Sequence, residues 1–116
     1  MKKLSKIFKE MAQTFLVNPR GIPSSEAAHA ALLLVHVAWN LEVGGPVPPD
    51  WQHALGVFEA NHPALWSEIR PGPPEILINE LRFLKQTRYP EDRRQVLICG
   101  IPHGKVHVEW RNPDTP

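Results

Sequence analysis

Residues 26–42 read EAAHAALLLVHVAWNLE, and Ala27 to Leu41 within them is the most apolar stretch of the 116-residue chain. Drawn as a helix, this stretch is apolar over most of its circumference, and Ser24 or Ser25 can cap its first turn. Gly44 and Gly45 supply a stop signal directly after it. We therefore predict a helix over residues 26–42 that lies at the centre of the fold, with the other elements packed around it.

Thirteen prolines divide the rest of the chain, because proline does not fit inside a helix or a paired strand. Before Pro19, apolar residues recur at three- and four-residue steps and predict an N-terminal helix. Asp50 is a good N-cap for a helix over residues 51–60, and a short turn is predicted after it at residues 63–69. Pro74 can occupy the first position of a further helix over residues 75–88. The expected core-facing residues of these three helices are Leu4, Ile7, Phe8, Met11, Phe15 and Leu16, then Trp51, Leu55 and Phe58, then Ile76, Leu77, Leu81 and Leu84.

The hydrophobic period changes near the C-terminus. Residues 95–101 and 105–110 are rich in β-branched and apolar side chains, and Pro102-His103-Gly104 between them is typical of a hairpin turn. In the second strand Val106, Val108 and Trp110 alternate with polar residues, which predicts one buried face and one solvent-exposed face. The chain is therefore expected to be a single domain over residues 1–116, mainly α with a small C-terminal β-hairpin (α+β), formed by about four helices followed by two antiparallel strands.

Composition excludes several classes of protein. The chain has 13 Lys and Arg against 12 Asp and Glu and is 42% hydrophobic, which excludes fibrous and disordered classes. Cys99 is the one cysteine, so no intramolecular disulfide can form, and a reducing cytoplasm is the expected location. Charged residues interrupt the N-terminal apolar pattern that a signal peptide needs. The most apolar stretch is shorter than the roughly 20 residues of a bilayer span, so no membrane span is predicted.

Charge is segregated along the chain. Residues 1–25 carry five cations and one carboxylate, residues 26–69 carry five carboxylates and no Lys or Arg, and residues 70–116 carry eight cations and six carboxylates. Either the acidic central helices pack against basic terminal elements, or a bipolar surface orients a partner or a second copy of the chain. The first interpretation is favoured, since segment charge does not say where side chains point.

A polar stripe of Glu26, His29, His36 and Asn40 follows one side of the central helix. We expect this stripe to contact solvent, as on many amphipathic helices. If it lines a cleft instead, His29 or His36 is a weak candidate for a general acid or base, oriented by Glu26 or Asn40. No nucleophile motif or phosphate-binding glycine loop accompanies it, so catalysis is the less favoured interpretation.

Cys99, His103 and His107 are weak candidates for a metal site, because they could converge in only one hairpin register. No His or Cys spacing is diagnostic of a metal, and no cofactor or metal is predicted. We expect Cys99 to be a small buried apolar residue rather than a nucleophile.

Cations cluster around the end of the last predicted helix. A helix followed by a hairpin is also the element order of winged helix-turn-helix domains, which bind DNA. Glu75 and Glu80 lie near the helix start that would face the bases and argue against this function. The candidate nucleic-acid contacts are Arg82, Lys85, Arg88, Arg93 and Arg94.

Four tryptophans exceed what a small core readily buries, and tryptophan is enriched at interaction sites. We expect Trp51 and Trp66, beside proline-rich connections, to remain partly exposed. The leading hypothesis is a small non-catalytic protein-interaction or regulatory domain that binds a protein partner or itself as a homo-oligomer. The alternative is a nucleic-acid-binding protein, and the third possibility is a His-dependent enzyme or metal-binding protein.

Overall fold

A computed structural model describes residues 2–13, 25–61, 63, 74–101 and 105–113. Within these ranges the order of elements confirms the predicted α+β class: four helices precede an antiparallel hairpin at the C-terminal end. The turn at 102–104 and all but the first residue of the turn predicted over 63–69 lie outside the described residues, as do Phe15 and Leu16. The elements are α1 (Leu4–Gln13), α2 (Ser25–Val43), α3 (Trp51–Asn61), α4 (Pro74–Arg88), β1 (Gln95–Gly100) and β2 (His107–Arg111).

The central position predicted for α2 is confirmed. This helix packs against α1, α3, α4 and β1, and its second half is buried on nearly all sides. The amphipathic pattern of α1 is confirmed as well, because Leu4, Ile7, Phe8 and Met11 are each at most 2% exposed. Burial of these side chains against α2 removes apolar surface from water, the main driving force for folding.

The core-facing sides of α3 and α4 are mostly as predicted. Leu55 is buried and Trp51 and Phe58 are half-buried on α3. On α4, Leu77 and Leu81 are buried, but the prediction for Ile76 is wrong, since this side chain is 53% exposed. Ile78 enters the core in its place, because residues 77, 78, 81 and 85 share the helix face that packs on α2 and residue 76 is turned away from it.

The hairpin contains an irregularity that the sequence pattern did not indicate. The strands pair from Gln95 opposite Arg111 to Gly100 opposite His107, and the register shifts between Val96 and Ile98. The extra residue is a β-bulge, and it leaves Leu97 and Ile98 both exposed at 43% and 57%. Val96 before the bulge and Cys99 after it pack against the helices.

The two faces predicted for the second strand are largely confirmed. Val106 and Val108 are half-buried against the core, whereas His107 and Glu109 are exposed. Trp110 is the exception, with 43% of its surface exposed. None of the helices among the described residues is long and apolar enough to cross a bilayer.

Candidate functional site

A fully buried amide, Asn40, joins α2 to the hairpin. Its Nδ2 donates to the carbonyl oxygens of Pro46 and Val96, both at 2.7 Å, and its Oδ1 accepts the backbone N–H of Val96 at 2.9 Å. Gly45 passes so close that a Cβ there would lie 2.6 Å from Oδ1 of Asn40. The helix end, the loop after it and β1 are therefore held by one side chain whose role is structural.

The solvent-exposed stripe predicted on α2 is wrong for His36 and Asn40, which are 7% and 0% exposed. They lie one turn apart and both face the backbone of Val96. Burial lowers the pKa of His36 below its ordinary 6.5, although a hydrogen bond with the Val96 backbone opposes this shift. Nε2 of His36 is buried without a partner in the described part of the chain.

His29 is exposed, two helical turns from His36, so the two imidazoles do not form a common site. His29 lines an apolar cavity of about 290 Å³ between α2 and α3, together with Ala30, Leu33, Ala54, Leu55 and Phe58. The side chain of Glu26 is not among those that the structure describes. This arrangement offers no acid-base pair between His29 and His36.

The end of α4 and the chain leading into β1 wrap around Trp39. Its indole Nε1 donates to the carbonyl of Arg94 at 2.7 Å, and its ring packs against Phe8 and Tyr89, with centroids 5.5 and 6.3 Å away. The ammonium of Lys85 lies 4.7 Å from the Trp39 ring centroid and donates to the carbonyl oxygens of Tyr89, at 2.6 Å, and Asp92. Lys85 therefore stabilises the connection between α4 and β1, which we call the corner.

Arg94 and Asp92 form a buried, bidentate ion pair. Nε and Nη2 of Arg94 lie 2.9 and 2.6 Å from the two carboxylate oxygens. Burial alone would raise the pKa of Asp92, but the hydrogen bonds and charge of Arg94 outweigh it and hold the pKa below its ordinary 3.8. Arg94 also donates to the Lys2 carbonyl at 2.8 Å and lies 5.0 Å from the Trp110 ring.

The five candidate nucleic-acid contacts do not form one exposed face. Lys85 and Arg94 are 4% and 7% exposed and hold the corner just described. Nε of Arg82 lies 2.5 Å from Oε1 of Glu42, which pins α4 to α2. Arg88 and Arg93 remain exposed. Phosphate contacts need accessible cations, so the structure leaves much less basic surface than the sequence pattern indicates.

The hairpin register separates two of the candidate metal ligands. Cys99 lies opposite Val108 and His107 opposite Gly100, so Cys99 and His107 point to different faces of the hairpin. His103 lies outside the described residues, and no cluster of three metal-ligating side chains occurs among the described ones. Burial raises the pKa of the Cys99 thiol to about 12, as expected for a packed rather than a reactive cysteine.

The outward side of α4 is the surface that sequence reasoning missed. Ile76 and Phe83, 53% and 64% exposed, lie seven residues apart and therefore two turns apart on the line opposite the core. The exposed, uncharged residues Asn79 and Thr87 continue this line. The sequence does contain an indication of this surface, because Ile76 and Phe83 are apolar but do not share a helix face with the core residues Leu77 and Leu81.

Of the two tryptophans expected at an interface, Trp51 is half-buried against the core and Trp66 lies outside the described residues. Comparison of the chain with protein-family models, curated proteins and solved structures finds no match in any of the three.

Proposed function

We propose that this protein is a small, non-catalytic interaction domain of the cytoplasm that associates with a second copy of itself through the outward side of α4. The observation that carries the proposal is the pair Ile76 and Phe83, two large apolar side chains on the outward side of α4 that are each more than half exposed. Aromatic anchors of this kind supply much of the binding energy of protein interfaces.

The spacing of this pair is self-complementary. In an antiparallel contact about a two-fold axis between residues 79 and 80, Ile76 of one copy meets Phe83 of the other, and the symmetric contact is identical. Each aromatic ring would then be covered by an aliphatic side chain. No second surface is needed, because the same patch serves both copies.

The charges of α4 support the antiparallel direction. Its first half carries Glu75 and Glu80, and its second half carries Arg82, Lys85 and Arg88. Lys85 is buried and Arg82 is paired with Glu42, so Arg88 supplies the remaining positive charge of this half. An antiparallel pair places the acidic half of one helix against the basic half of the other and opposes the two helix dipoles.

Sedimentation equilibrium over a range of concentrations tests this function. The wild type is expected to rise above the monomer mass of 13.2 kDa towards twice that value, and Phe83→Glu is expected to remain monomeric. Val57→Glu is the matched control, because Val57 is also exposed, at 44%, but lies on α3. A wild-type monomer at every concentration, or equal dimerisation of Phe83→Glu, contradicts the proposal.

The axis position provides a second variant. Asn79 is exposed and lies next to the axis, so Asn79→Glu would bring two carboxylates together there and is expected to weaken the dimer. Equal dimerisation of the wild type and Asn79→Glu would contradict the antiparallel arrangement.

A further inference from the structure

A polar cavity of about 250 Å³ opens where the C-terminal ends of α2 and α4 meet the connection to β1. Ile76 and Phe83 do not line it. Its lining is dominated by charged and amide side chains, with Pro90 and Val43 as apolar walls. The lining residues are Glu42, Val43, Lys85, Gln86, Pro90, Asp92 and Arg93.

The buried wall of this cavity carries a cation without a carboxylate partner. Lys85 is 4% exposed, and its ammonium donates to two backbone carbonyls, which are neutral acceptors. Among the described residues no carboxylate forms an ion pair with it: Asp92 is engaged by Arg94, and Glu42 by Arg82. Burying a charge that is only partly compensated is costly, so an anion reaching it would be stabilised.

Arg93 adds a second positive charge at the same opening. Its side chain is exposed. Burial is the main cause that lowers the pKa of Lys85, the attraction of the Asp92 and Glu42 carboxylates opposes it, and repulsion from Arg93 adds a smaller lowering. The carboxylate of Glu42 accepts Nε of Arg82 at 2.5 Å and Nε2 of Gln86 at 3.0 Å, so its charge is already neutralised. An anion between Lys85 and Arg93 would relieve their repulsion.

We propose that this cavity binds a small oxyanion, a phosphate or a carboxylate, between Lys85 and Arg93. An ammonium has three N–H donors, and the two carbonyl bonds of Lys85 use two of them. Arg93 supplies a planar fork that suits both kinds of oxyanion. The cavity volume of about 250 Å³ is several times the roughly 30 Å³ that a water molecule occupies in the liquid, so a small oxyanion fits.

Thermal unfolding in sodium phosphate, sodium acetate and sodium chloride, at equal pH and ionic strength, tests the site with defined probes. Phosphate or acetate is expected to raise the wild-type Tm by several degrees above chloride, since a ligand of the native state stabilises it. Whichever of the two salts does so identifies the oxyanion. Arg93→Gln is expected to lose this shift and Lys9→Gln to keep it, because Lys9 is exposed on α1 and does not line the cavity.

Both substitutions are at exposed positions, so both variants are expected to fold. An equal shift in all three proteins would mean only general exclusion of the salt from the protein surface and would overturn the proposal. The absence of any shift relative to chloride would overturn it as well. Neither result affects the test of self-association, which uses Phe83.

Discussion

Replacing Asn40 by alanine removes three hydrogen bonds from the contact between α2 and the hairpin. The N–H and C=O of Val96 and the C=O of Pro46 lose their side-chain partner. Water can reach the Pro46 carbonyl, because Pro46 is exposed. The two buried groups of Val96, at about 1–3 kcal/mol each, give an expected loss of about 2–6 kcal/mol. A small domain is stable by only about 5–15 kcal/mol in total, so this loss would bring the protein close to unfolding.

Urea unfolding followed by tryptophan fluorescence measures this loss directly. Gln52→Ala is the matched control, because Gln52 is an exposed amide on α3, and its stability is expected to change by no more than about 0.5 kcal/mol. A loss below about 1 kcal/mol for Asn40→Ala would refute the reasoning. It would mean that water or a rearranged backbone satisfies the groups that Asn40 holds.

Three further predictions concern the same region of the fold. Gly45→Ala places a Cβ 2.6 Å from Oδ1 of Asn40 and should lower the free energy of unfolding in urea by about 1–3 kcal/mol. The unfolded chain protonates His36 at a higher pH than the fold does, so wild-type stability should fall as the pH drops below 6.5, and His36→Gln should lose this part of the dependence. Cys99, with a pKa of about 12, should be alkylated much more slowly at pH 8 in the folded protein than in urea.

The elements of this fold could be predicted because their signals are local. Prolines mark the connections, Asp50 and Pro74 precede α3 and α4, and the apolar circumference of residues 26–42 identifies the central helix. Each signal acts within a few residues of the structure that it determines. The described helix starts accordingly lie at or next to the predicted positions.

The burial of polar groups could not be predicted, because their partners lie far away in sequence. Asn40 bonds to Val96, 56 residues later, and Trp39 bonds to Arg94, 55 residues later. Without these partners, the sequence pattern indicated that the polar side chains of α2 contact solvent. Lys85 likewise looked like part of a basic surface, since its acceptors are carbonyl oxygens that no side-chain pattern indicates.

The outward direction of Ile76 shows the limit of periodicity on α4. Ile76, Leu77 and Ile78 are consecutive apolar residues, so the pattern alone leaves the helix phase free by one position in either direction. Contact with α2 selects the phase that buries Leu77 and Ile78. Ile76, which remains exposed in this phase, is one of the two residues that form the proposed contact between copies.

Oxidative cross-linking of single-cysteine variants, in a Cys99→Ala background, tests that contact most directly. Asn79 is exposed and lies next to the proposed axis, so Asn79→Cys should form a disulfide-linked dimer. Glu75 is exposed on the same helix, but antiparallel pairing separates the two copies of residue 75 by nine helical positions, roughly 13 Å, so Glu75→Cys should stay monomeric. Cross-linking of Glu75→Cys but not Asn79→Cys, or of neither variant, would contradict antiparallel self-association through α4.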